Sequence, residues 1–430
     1  MKYIVGIDDC DSHFGGCTTY VAYKLAKYLI KHENSIKIIP IPNLVRLNPY
    51  IPFKTRGNAA VKLVIESDEN DKDVLNTILN IVENYREKRG KASPGIALVE
   101  YDINKLKILY KLYVKAIVDV VTLDIVENIC EKLNIKTVGG RGLVGAVASL
   151  GYIPDIDSTF ELLIYGNPEI KKSIDIDFKI MKFLDRVYRP YTFSNIDEKR
   201  EHILIFPTGP DPVIAGIRGD SPIHVISLGS IILNLLKNNL EGWMLYRTNQ
   251  CTNIHLERRS LRDRSFNPCK IIQIVEEEYR TEDRHLICKT NTRISIFSYR
   301  HLGDITTSIE KSLGNIIETW GGLKLKDGEY YVYVEGFRPL SFRLVILRNP
   351  KCPHCGHTLK SKGRSRGFYC EKCGKYIKEI TKGVIPCIDI KPRIYLPDKS
   401  EFRHLMKVLE RFGIENFSNI FPEDIPLWII

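Results

Sequence analysis

Four of the eleven cysteines form two CxxC pairs near the carboxyl end of the 430-residue chain, Cys352 with Cys355 and Cys370 with Cys373, separated by fourteen residues. Each pair lets two thiolates project from one tight turn, and two such turns complete a tetrahedral zinc site. A site closed by four thiolates keeps no open coordination position, so the spacing predicts a structural Zn²⁺. The other cysteines are scattered, which is typical of a protein from a reducing compartment.

The segment around these cysteines is strongly basic. Between residues 351 and 378, eight lysines and arginines stand against one acidic residue, Glu371. Phe368 and Tyr369 lie beside the arginines, so the composition favours phosphate contacts combined with base stacking. A solvated basic loop is the alternative interpretation. The RNA contacts that we predict are Lys360, Lys362, Arg364 and Arg366.

The chain is too long for a single hydrophobic core. At about 100 to 200 residues per domain, its length predicts three or four domains. The formal charge of +11 admits nucleic acid as a partner without demanding it. No run approaches the roughly 20 apolar residues that cross a bilayer, and aspartates interrupt the start of the chain where a signal peptide would be apolar. We therefore expect a soluble, cytoplasmic protein with no membrane partner.

Hydrophobic periodicity predicts alternating strands and helices in the first half of the chain, which is typical of α/β or α+β architecture. A strand at 2–7 and a helix at about 18–31 flank a polar loop, and a further helix is predicted near 71–89. Residues 207–222 are rich in turn formers and are predicted as a turn-rich segment. Short strand patterns over about 267–347 indicate a small barrel such as an OB-fold. The tail predicts a helix near 401–412.

Three carboxylates crowd the loop that follows the first strand, at Asp8, Asp9 and Asp11. Like charges this close repel one another, and a divalent cation such as Mg²⁺ is the usual reason to tolerate them. The next residues offer free backbone N–H groups and hydroxyls to an anion at the start of a helix, namely Gly15, Gly16, Thr18 and Thr19. Together the two halves predict a magnesium–nucleotide site. An acidic surface turn followed by a threonine helix cap is the alternative.

A family resemblance rests on several ordered motifs. They are GIDDCDSHFGGCTTY at 6–20, RLNPYIPFKTRGNAA at 46–60, GGRGLVGA at 139–146, PTGPDPV at 207–213, GIRGDSP at 216–222 and YRTNQ at 246–250. With the barrel and ribbon in the same order, the chain resembles the archaeal tRNA-Ile agmatidine synthetases, also called 2-agmatinylcytidine synthetases. It departs from their pattern at Cys10, Cys251 and Asn253, where threonine, glycine and aspartate are common.

The resemblance implies a multidomain α+β fold with four parts. These are a kinase-like α/β catalytic domain at 1–136, a ferredoxin-like domain at 137–264, an OB-fold barrel at 265–347 and a C-terminal zinc ribbon with its tail at 348–430. It also implies ATP-dependent ligation of agmatine to C2 of the wobble cytidine in the CAU anticodon of an isoleucine tRNA. The product, agmatidine, lets that tRNA decode AUA. ATP, Mg²⁺ and structural Zn²⁺ are the implied cofactors.

The resemblance carries functional roles onto matching positions. Asp8, Asp9 and Asp11 match the acidic catalytic motif, and Thr18 matches the threonine that becomes autophosphorylated. Lys54, Arg56 and Arg141 are candidate phosphate contacts, or ordinary surface cations and turn residues. Agmatine ends in a guanidinium that needs a carboxylate partner. Candidates for that partner, which could equally be turn formers, are Asp211 and Asp220.

Two other classes of protein fit part of the sequence. A noncatalytic RNA-binding protein built from an OB-fold and a basic ribbon explains the C-terminal half, and barrel aromatics could stack bases or fill its core, namely Phe297, Tyr299, Tyr331 and Tyr333. A kinase acting on another RNA explains the acidic loop. Turnover of ATP and dependence on agmatine separate these hypotheses.

Overall fold

The computed structural model describes two compact units. The first comprises residues 1–268 together with 399–430, and the second comprises residues 269–398. Within these units the described stretches are 1–32, 35–154, 157–168, 174–236, 240–258, 263–298, 302–303, 306, 316–341, 344–363, 366–386, 394–415 and 427–430.

The first unit contains eleven strands and eight helices among its described residues. The strands are β1 (Lys2–Asp8), β2 (Ile36–Arg46), β3 (Ala59–Ser67), β4 (Gly95–Glu100), β5 (Lys136–Gly139), β6 (Thr159–Gly166), β7 (Thr192–Phe193), β8 (Ile196–Asp197), β9 (His202–Ile203), β10 (Val213–Gly219) and β11 (Leu240–Thr248). The helices are α1 (Thr18–His32), α2 (Asp71–Tyr85), α3 (Ile103–Val118), α4 (Leu123–Leu133), α5 (Leu143–Leu150), α6 (Phe178–Tyr188), α7 (Pro222–Leu235) and α8 (Ile254–Glu257).

Nine of these strands form one sheet in the order β5-β4-β1-β3-β2-β11-β6-β10-β7. Neighbours are antiparallel except at the join between β2 and β11, where Arg247 and Thr248 pair in parallel with Asn43 and Leu44. The sheet therefore runs without interruption through both of the predicted N-terminal domains. The predicted boundary at 136/137 falls at the start of the edge strand β5.

Both faces of the sheet are covered, as strict alternation in β1 shows. Tyr3, Val5 and Ile7 point into the core formed with α1 and α2, whereas Ile4 belongs to the core formed with α3, α4 and α5. Gly6 lets α5 approach β1 closely, because a Cβ there would lie 2.1 Å from the carbonyl oxygen of Ala146. Helix α5 is thereby held next to the carboxyl end of β1.

The prediction of a turn-rich segment at 207–222 is wrong for its second half. Residues 213–219 form β10, an interior strand between β6 and β7. The glycines that suggested turns serve close packing instead, because a Cβ at Gly219 would lie 2.2 Å from the carbonyl oxygen of Tyr191. Glycines that allow close packing of a strand therefore resemble turn-forming glycines in the sequence.

Helix α2 is shorter than predicted and ends at Tyr85. Arg86 is already extended, and the next residue donates its backbone N–H to the carbonyl oxygen of Cys10 at 3.0 Å. The chain leaves the helix early because Glu87 packs against the acidic loop. A Cβ at Gly16 would lie 2.7 Å from Cβ of Glu87, so this glycine is needed for the contact.

The C-terminal tail differs from its prediction in two ways. In place of the helix predicted at 401–412 there are two short 3₁₀ turns, Lys399–Glu401 and Leu409–Arg411. The predicted domain at 348–430 combines the tail with the ribbon, but residues 399–430 belong to the first unit. Long-range contacts override the local helical pattern, since the carbonyls of His404 and Leu405 accept backbone N–H groups of Cys251 and Asn253.

The second unit contains a closed five-stranded barrel and a small ribbon. The barrel order is β12-β13-β14-β16-β15, formed by β12 (Pro268–Arg280), β13 (Leu286–Thr290), β14 (Ile294–Phe297), β15 (Ile316–Lys326) and β16 (Glu329–Pro339). The remaining strands are β17 (Leu344–Arg348), β18 (Lys360–Ser361), β19 (Phe368–Tyr369), β20 (Tyr376–Ile377) and β21 (Gly383–Pro386). Strands β18, β19 and β20 form the three-stranded sheet of the ribbon.

The architecture is thus a mixed α/β multidomain fold with a closed barrel and a cysteine-bearing ribbon. Within the described stretches, every helix is too short or too polar to span a bilayer.

Candidate active site

A cavity of about 710 Å³ lies in the first unit, where β1 ends and α1 and α5 begin. Nine of the residues predicted from sequence line it, namely Asp8, Asp9, Asp11, Thr18, Thr19, Lys54, Arg56, Arg141 and Asp211. Gly15 and Gly16 lie in the adjoining loop, where both adopt positive φ. Among the residues predicted for catalysis, phosphate binding and agmatine binding, Asp220 is the one placed elsewhere. The fold therefore gathers residues from four separate sequence motifs around one cavity.

Asp9 is held by the loop that precedes α5. Arg141 donates from Nη2 and Nε to Oδ2 of Asp9 at 2.7 and 3.0 Å, and from Nη2 to Oδ1 at 3.0 Å. The Thr55 hydroxyl donates to Oδ1 at 3.2 Å. Asp9 has φ of +58°, a left-handed conformation that aspartate and asparagine tolerate better than most residues. This backbone directs the carboxylate to its two partners.

Asp11 is paired with Arg56, which also reaches Asp211. Arg56 donates from Nε to Asp11 at 3.0 Å and from Nη1 to Asp211 at 2.8 Å. Its Nη2 donates to the carbonyl oxygens of Gly15 and Gly16 at 3.2 and 2.6 Å. One guanidinium therefore joins the acidic loop, the glycine loop and the segment before β10.

Asp8 has no arginine partner among the described residues. Its Oδ1 accepts the backbone N–H of Asp9 at 2.7 Å, and its other oxygen faces α5. A Cβ added at Gly145 would lie 1.8 Å from Oδ2 of Asp8, so only glycine leaves room for this carboxylate.

The electrostatics of the acidic loop favour protonation or a bound cation. Burial raises the pKa of Asp8 well above its usual value, and the charges of Asp9 and Asp11 raise it further. Burial also raises the pKa of Asp9, although Arg141 partly offsets the effect. Burial raises the pKa of Asp11 as well, and Arg56 partly offsets that effect. With Asp211, which shares Arg56 with Asp11, four carboxylates face two arginines, so acidic groups are in excess here.

The donor set suits Mg²⁺, which takes hard oxygen ligands. The three aspartates are not a preformed cage, because among the described residues only the four ribbon cysteines place three or more ligand atoms within 4.8 Å of one another. Mg²⁺ does not need such a cage, since it binds through one or two carboxylates and keeps its other positions for water and phosphate oxygens.

The amino end of α1 presents its first residues to the cavity. Thr18 is 5% exposed, and its hydroxyl accepts the backbone N–H of Cys10 at 3.2 Å. The carbonyl oxygen of Thr19 accepts the hydroxyls of Tyr165 and Tyr246 at 3.1 and 2.8 Å, which fixes the helix start against β6 and β11. A group attached to Thr18 would therefore sit at the positive end of α1.

Sequence reasoning missed a second charged cluster in the same cavity. Glu161 is 1% exposed and accepts Nε of Arg218 at 2.8 Å, and Nη2 of Arg46 lies 3.7 Å from its other oxygen. Gln250 donates to Glu161 and accepts from Nδ1 of His404 at 3.1 Å. Both arginines fall in the motifs quoted above, so a signal existed for them. No local pattern marked His404.

The loop that carries Lys54 is braced by the C-terminal segment. Lys54 donates to the carbonyl oxygen of Pro49, which also accepts Nη1 of Arg403 at 3.1 Å. The Arg403 guanidinium lies 5.1 Å from the ring centre of Tyr50. The segment at 399–415 therefore shapes the cavity wall.

Asp220 does not reach the cavity. Both of its carboxylate oxygens accept hydrogen bonds from Arg411, at 2.6 to 3.0 Å, and Arg411 is fully buried. Arg411 also donates to Asp157 at 2.6 Å. Asp220 thus has a guanidinium partner inside the protein, so the structure gives no support to its prediction as an agmatine ligand.

Of the three departures from the family pattern, Cys10 and Cys251 are buried and Asn253 is half-buried. Cys10 is the donor to Thr18 noted above. Cys251 and Asn253 have φ of +56° and +60°, and each donates its backbone N–H to the C-terminal segment, to the carbonyls of His404 and Leu405 at 2.7 and 2.8 Å. The departures at Cys251 and Asn253 therefore affect the attachment of the tail, whereas Cys10 belongs to the acidic loop itself.

The ribbon cysteines have the geometry of a zinc site. The Sγ–Sγ distances are 3.5 Å for Cys352–Cys373, 3.4 Å for Cys355–Cys370 and 3.8 Å for Cys355–Cys373. A tetrahedron with Zn–S bonds of about 2.3 Å has edges of about 3.8 Å, so the four thiols fit this ion.

The predicted RNA contacts on the ribbon are exposed where the structure describes them. Lys360 pairs with Glu371 at 2.6 Å, Lys362 lies 5.1 Å from the ring centre of Tyr369, and Arg366 is exposed. Arg364 lies outside the described residues, as does the barrel residue Tyr299. Of the other barrel aromatics, Phe297 is buried in the core, Tyr331 is partly buried and Tyr333 is exposed.

Comparison with known proteins gives these features a family context. The TiaS TCKD domain matches residues 4–140, the TiaS FLD domain matches 140–255 and the TiaS C-terminal zinc ribbon domain matches 349–386. The isoleucine tRNA 2-agmatinylcytidine synthetase TiaS of Pyrobaculum neutrophilum is 37% identical over 413 residues, which cover 95% of each chain.

Solved structures agree over nearly the whole chain. A complex of TiaS with its isoleucine tRNA and ATP is similar at a TM-score of 0.77 with 28% identity, covering 96% of this chain and 98% of that one. A complex of TiaS with the same tRNA, AMPCPP and agmatine is similar at a TM-score of 0.75 with 26% identity and the same coverage. With three matching domains and a curated relative aligned along 95% of its length, this chain belongs to the TiaS family of isoleucine tRNA 2-agmatinylcytidine synthetases.

Proposed function

We propose that this protein is an ATP-dependent ligase that joins agmatine to C2 of the wobble cytidine in the CAU anticodon of an isoleucine tRNA. The product, agmatidine, lets the tRNA decode AUA. The observation that carries the proposal is the cavity that gathers Asp8, Asp9, Asp11 and Thr18, in a chain whose solved relatives hold an isoleucine tRNA, ATP and agmatine. Its tRNA substrate assigns the reaction to the cytoplasm.

The chemistry requires two steps because the O2 atom of cytosine is a poor leaving group. Transfer of a phosphoryl group from ATP to O2 converts that oxygen into part of a good leaving group. The agmatine amine then forms the new bond to C2 while the C2–O2 bond breaks and the oxygen departs on orthophosphate. The target base must leave the anticodon stack to enter the cavity.

The acidic loop is the catalytic centre of this proposal. Bound Mg²⁺ would neutralise charge on the transferring phosphoryl group. Asp8, Asp9 and Asp11 are the residues that would hold it, and one of them acts as a base toward the Thr18 hydroxyl or the amine. Arg141 and Arg56 orient Asp9 and Asp11 and offset part of the rise that burial causes in the pKa of each carboxyl.

The neighbouring residues contact phosphate groups. Gly15, Gly16 and Thr19 lie at the start of α1, where backbone N–H groups favour anions. Lys54 and Arg141 supply positive charge along the cavity wall. Thr18 is the residue that becomes phosphorylated, and its hydroxyl already lies at the positive end of this helix.

Asp211 is the better of the two predicted agmatine ligands. It lines the cavity, and its carboxylate already holds a guanidinium, that of Arg56, at 2.8 Å. Agmatine carries the same group, so it can compete for this carboxylate. We therefore retain Asp211 and drop Asp220, which is paired with Arg411.

The parts of the chain outside the catalytic domain serve tRNA binding. In this proposal the kinase-like part is 1–136, the ferredoxin-like part 137–264 and the OB-fold 265–347, with a zinc ribbon from 348. Lys360, Lys362 and Arg366 provide an exposed basic surface for phosphates. The four cysteines that would bind Zn²⁺ keep this surface folded.

Mass analysis of the isoleucine tRNA anticodon tests the proposal. The tRNA is incubated with protein, ATP, Mg²⁺ and agmatine, and the mass increase of agmatine addition is expected at the wobble cytidine. Omission of ATP or agmatine should each abolish it. Binding of tRNA without ATP turnover would indicate a noncatalytic RNA-binding protein, and ATP turnover that ignores agmatine would indicate a kinase for another RNA.

A further inference from the structure

The cavity contains a second cluster whose charge is opposite to that of the acidic loop. Arg46 and Arg218 flank a single buried carboxylate, Glu161, and His404 and Lys54 complete this end of the lining. Two guanidiniums against one carboxylate leave an excess positive charge. The side chains of Arg46 and Arg218 are 12% and 27% exposed, so what remains open faces the cavity they line.

The hydrogen bonding of these arginines is incomplete. Within the described part of the chain the Arg46 guanidinium makes no hydrogen bond, its Nε is buried, and its nearest ionic contact is the 3.7 Å approach to Glu161. Arg218 donates through Nε alone to the residues that the structure describes, in its bond to Glu161. A guanidinium has five N–H donors, and leaving such donors buried and unpaired is costly. An acceptor from outside the chain is therefore expected here.

A relay of side chains holds this cluster rigid. His404 donates from Nδ1 to Gln250, and Gln250 donates to Glu161. The carboxylate can only accept, which fixes the orientation of the amide and thus places the proton of His404 on Nδ1. Burial, together with the charges of Arg46, Arg218 and Lys54, lowers the pKa of His404 well below its usual value, so the ring is neutral.

Burial alone would raise the pKa of Glu161, but the charges of Arg218 and Arg46 outweigh it and lower the pKa. Burial lowers the pKa of Arg46 to about 10, so this guanidinium also stays charged at neutral pH. The cluster therefore combines an ionised carboxylate that orients two cations with guanidinium donors that line the cavity. Guanidinium groups held in this way match the oxygens of a phosphate group.

We propose that Arg46 and Arg218 form a phosphate-binding subsite, positioned by Glu161, Gln250 and His404 and separate from the aspartate loop. The assignment rests on the proposed function for its ligand, which is a phosphate group of either the RNA backbone beside the target base or the nucleotide. These donors line the same cavity as the acidic loop. They would therefore hold a phosphate group while the carboxylates and their cation act on the reacting group.

Binding of inorganic phosphate to the full-length protein tests the subsite without requiring any turnover. The Cε1–H resonance of His404, assigned by its loss in His404→Asn, should move on addition of orthophosphate, and its pKa should rise because an anion enters among the cations. Arg46→Gln should weaken phosphate binding by about ten- to a hundredfold. Arg186→Gln removes the same charge from an exposed position on α6 and should change nothing.

Steady-state kinetics distinguish the two sources of the phosphate. A rise of about tenfold or more in the KM for tRNA in Arg46→Gln, with the KM for ATP unchanged, supports an RNA phosphate. The reverse pattern supports a nucleotide phosphate. Arg218→Lys keeps the charge and pairs with Glu161, so it controls for misfolding and should lose less than Arg218→Gln.

The subsite is overturned if orthophosphate leaves the His404 resonance and its pKa unmoved while Arg46→Gln and Arg218→Gln keep both KM values at the wild-type level. If the wild-type protein fails to ligate agmatine, the proposed function fails by itself, and the phosphate titration still decides whether the subsite exists.

Discussion

Arg411 donates hydrogen bonds to both carboxylate oxygens of Asp220 at 2.6 to 3.0 Å, and the guanidinium is fully buried. The pair joins the C-terminal segment to the end of β10, 191 residues earlier in the sequence. Arg411 also contacts Asp157 and the carbonyl of Cys251. This anchor lies seven residues after His404, so it holds the segment that completes the cavity wall.

Arg411→Met should destabilise the first unit strongly. Removing one partner of a buried ion pair leaves Asp220 without its cation, although Asp157 keeps its contact with Lys407 at 3.3 Å, and such a loss costs about 3 to 5 kcal/mol. The free energy of unfolding, measured in denaturant, should fall accordingly. Asp220→Asn should lose less, because the amide still accepts from Arg411, and it should leave the KM for agmatine unchanged. A selective rise in that KM at unaltered stability would restore Asp220 as an agmatine ligand.

Asp9→Asn should abolish modification while leaving the fold and the affinity for tRNA intact. Asparagine tolerates the left-handed backbone at this position, and its one oxygen still accepts from Thr55 and from Nη2 of Arg141, so the charge and the second acceptor are lost. Agmatidine formation should drop by about a hundredfold or more, measured by mass analysis of the anticodon alongside a tRNA binding assay. Asp73→Asn, on the exposed start of α2, is the matched control. Unchanged activity would refute the catalytic role of Asp9.

Gly145→Ala should impair catalysis without harming stability. The new Cβ would lie 1.8 Å from Oδ2 of Asp8, so the carboxylate must move. A misplacement of about 1 Å at a catalytic group costs about a hundredfold in rate. Stability should not fall, because alanine is a better helix former than glycine. Gly229→Ala in α7, whose new Cβ would have Leu162 side-chain atoms as its nearest described neighbours at 3.1 Å, should keep wild-type kcat. Equal rates in the two variants would show that the position of Asp8 does not matter.

The sequence revealed the features whose signals are local. Alternation over a few residues identified β1, and the spacing of Cys352, Cys355, Cys370 and Cys373 identified the ribbon, because each pattern is complete within its own segment. The acidic loop was found in the same way. Strand β10 was missed since its glycines pack against other strands, a role that looks like turn formation in one dimension.

Features that depend on distant segments stayed hidden. Nothing near His404 indicates that it reaches Gln250 and the cavity, and nothing in the sequence of β2 indicates its parallel pairing with β11. The unpaired donors of Arg46 emerge only once burial is known. Charge and burial must be known together before such a site can be recognised.

The double substitution Cys352→Ser with Cys355→Ser should remove zinc and weaken tRNA binding. Two of four ligands are lost, and the ribbon fold depends on the metal. Metal analysis should show loss of zinc, and tRNA affinity at fixed salt should fall, because the basic surface loses its scaffold. The control Cys130→Ser, in α4, should keep the zinc and the wild-type affinity for tRNA. Full zinc occupancy in the double variant would show that the ligands lie elsewhere.

Lys62 should make stability depend on pH above neutrality. It is 6% exposed and donates to the carbonyls of Leu150 and Tyr152 at 3.0 and 2.7 Å, with no carboxylate partner among the described residues. Burial lowers its pKa from 10.5 to about 7. Between these values the unfolded chain keeps a proton that the folded chain has lost, so stability must rise with pH across this window.

Comparison with Lys62→Met isolates this effect. Below pH 7 the wild type carries a buried charge that the variant lacks, so its relative stability is lowest there. From pH 7 to 10.5 the free energy of unfolding of the wild type should increase relative to that of the variant, with a slope approaching about 1.4 kcal/mol per pH unit. Lys37→Met, at an exposed lysine on β2, should give a flat difference over the same range. A flat difference for Lys62→Met as well would mean that Lys62 stays protonated in the folded protein up to its ordinary pKa.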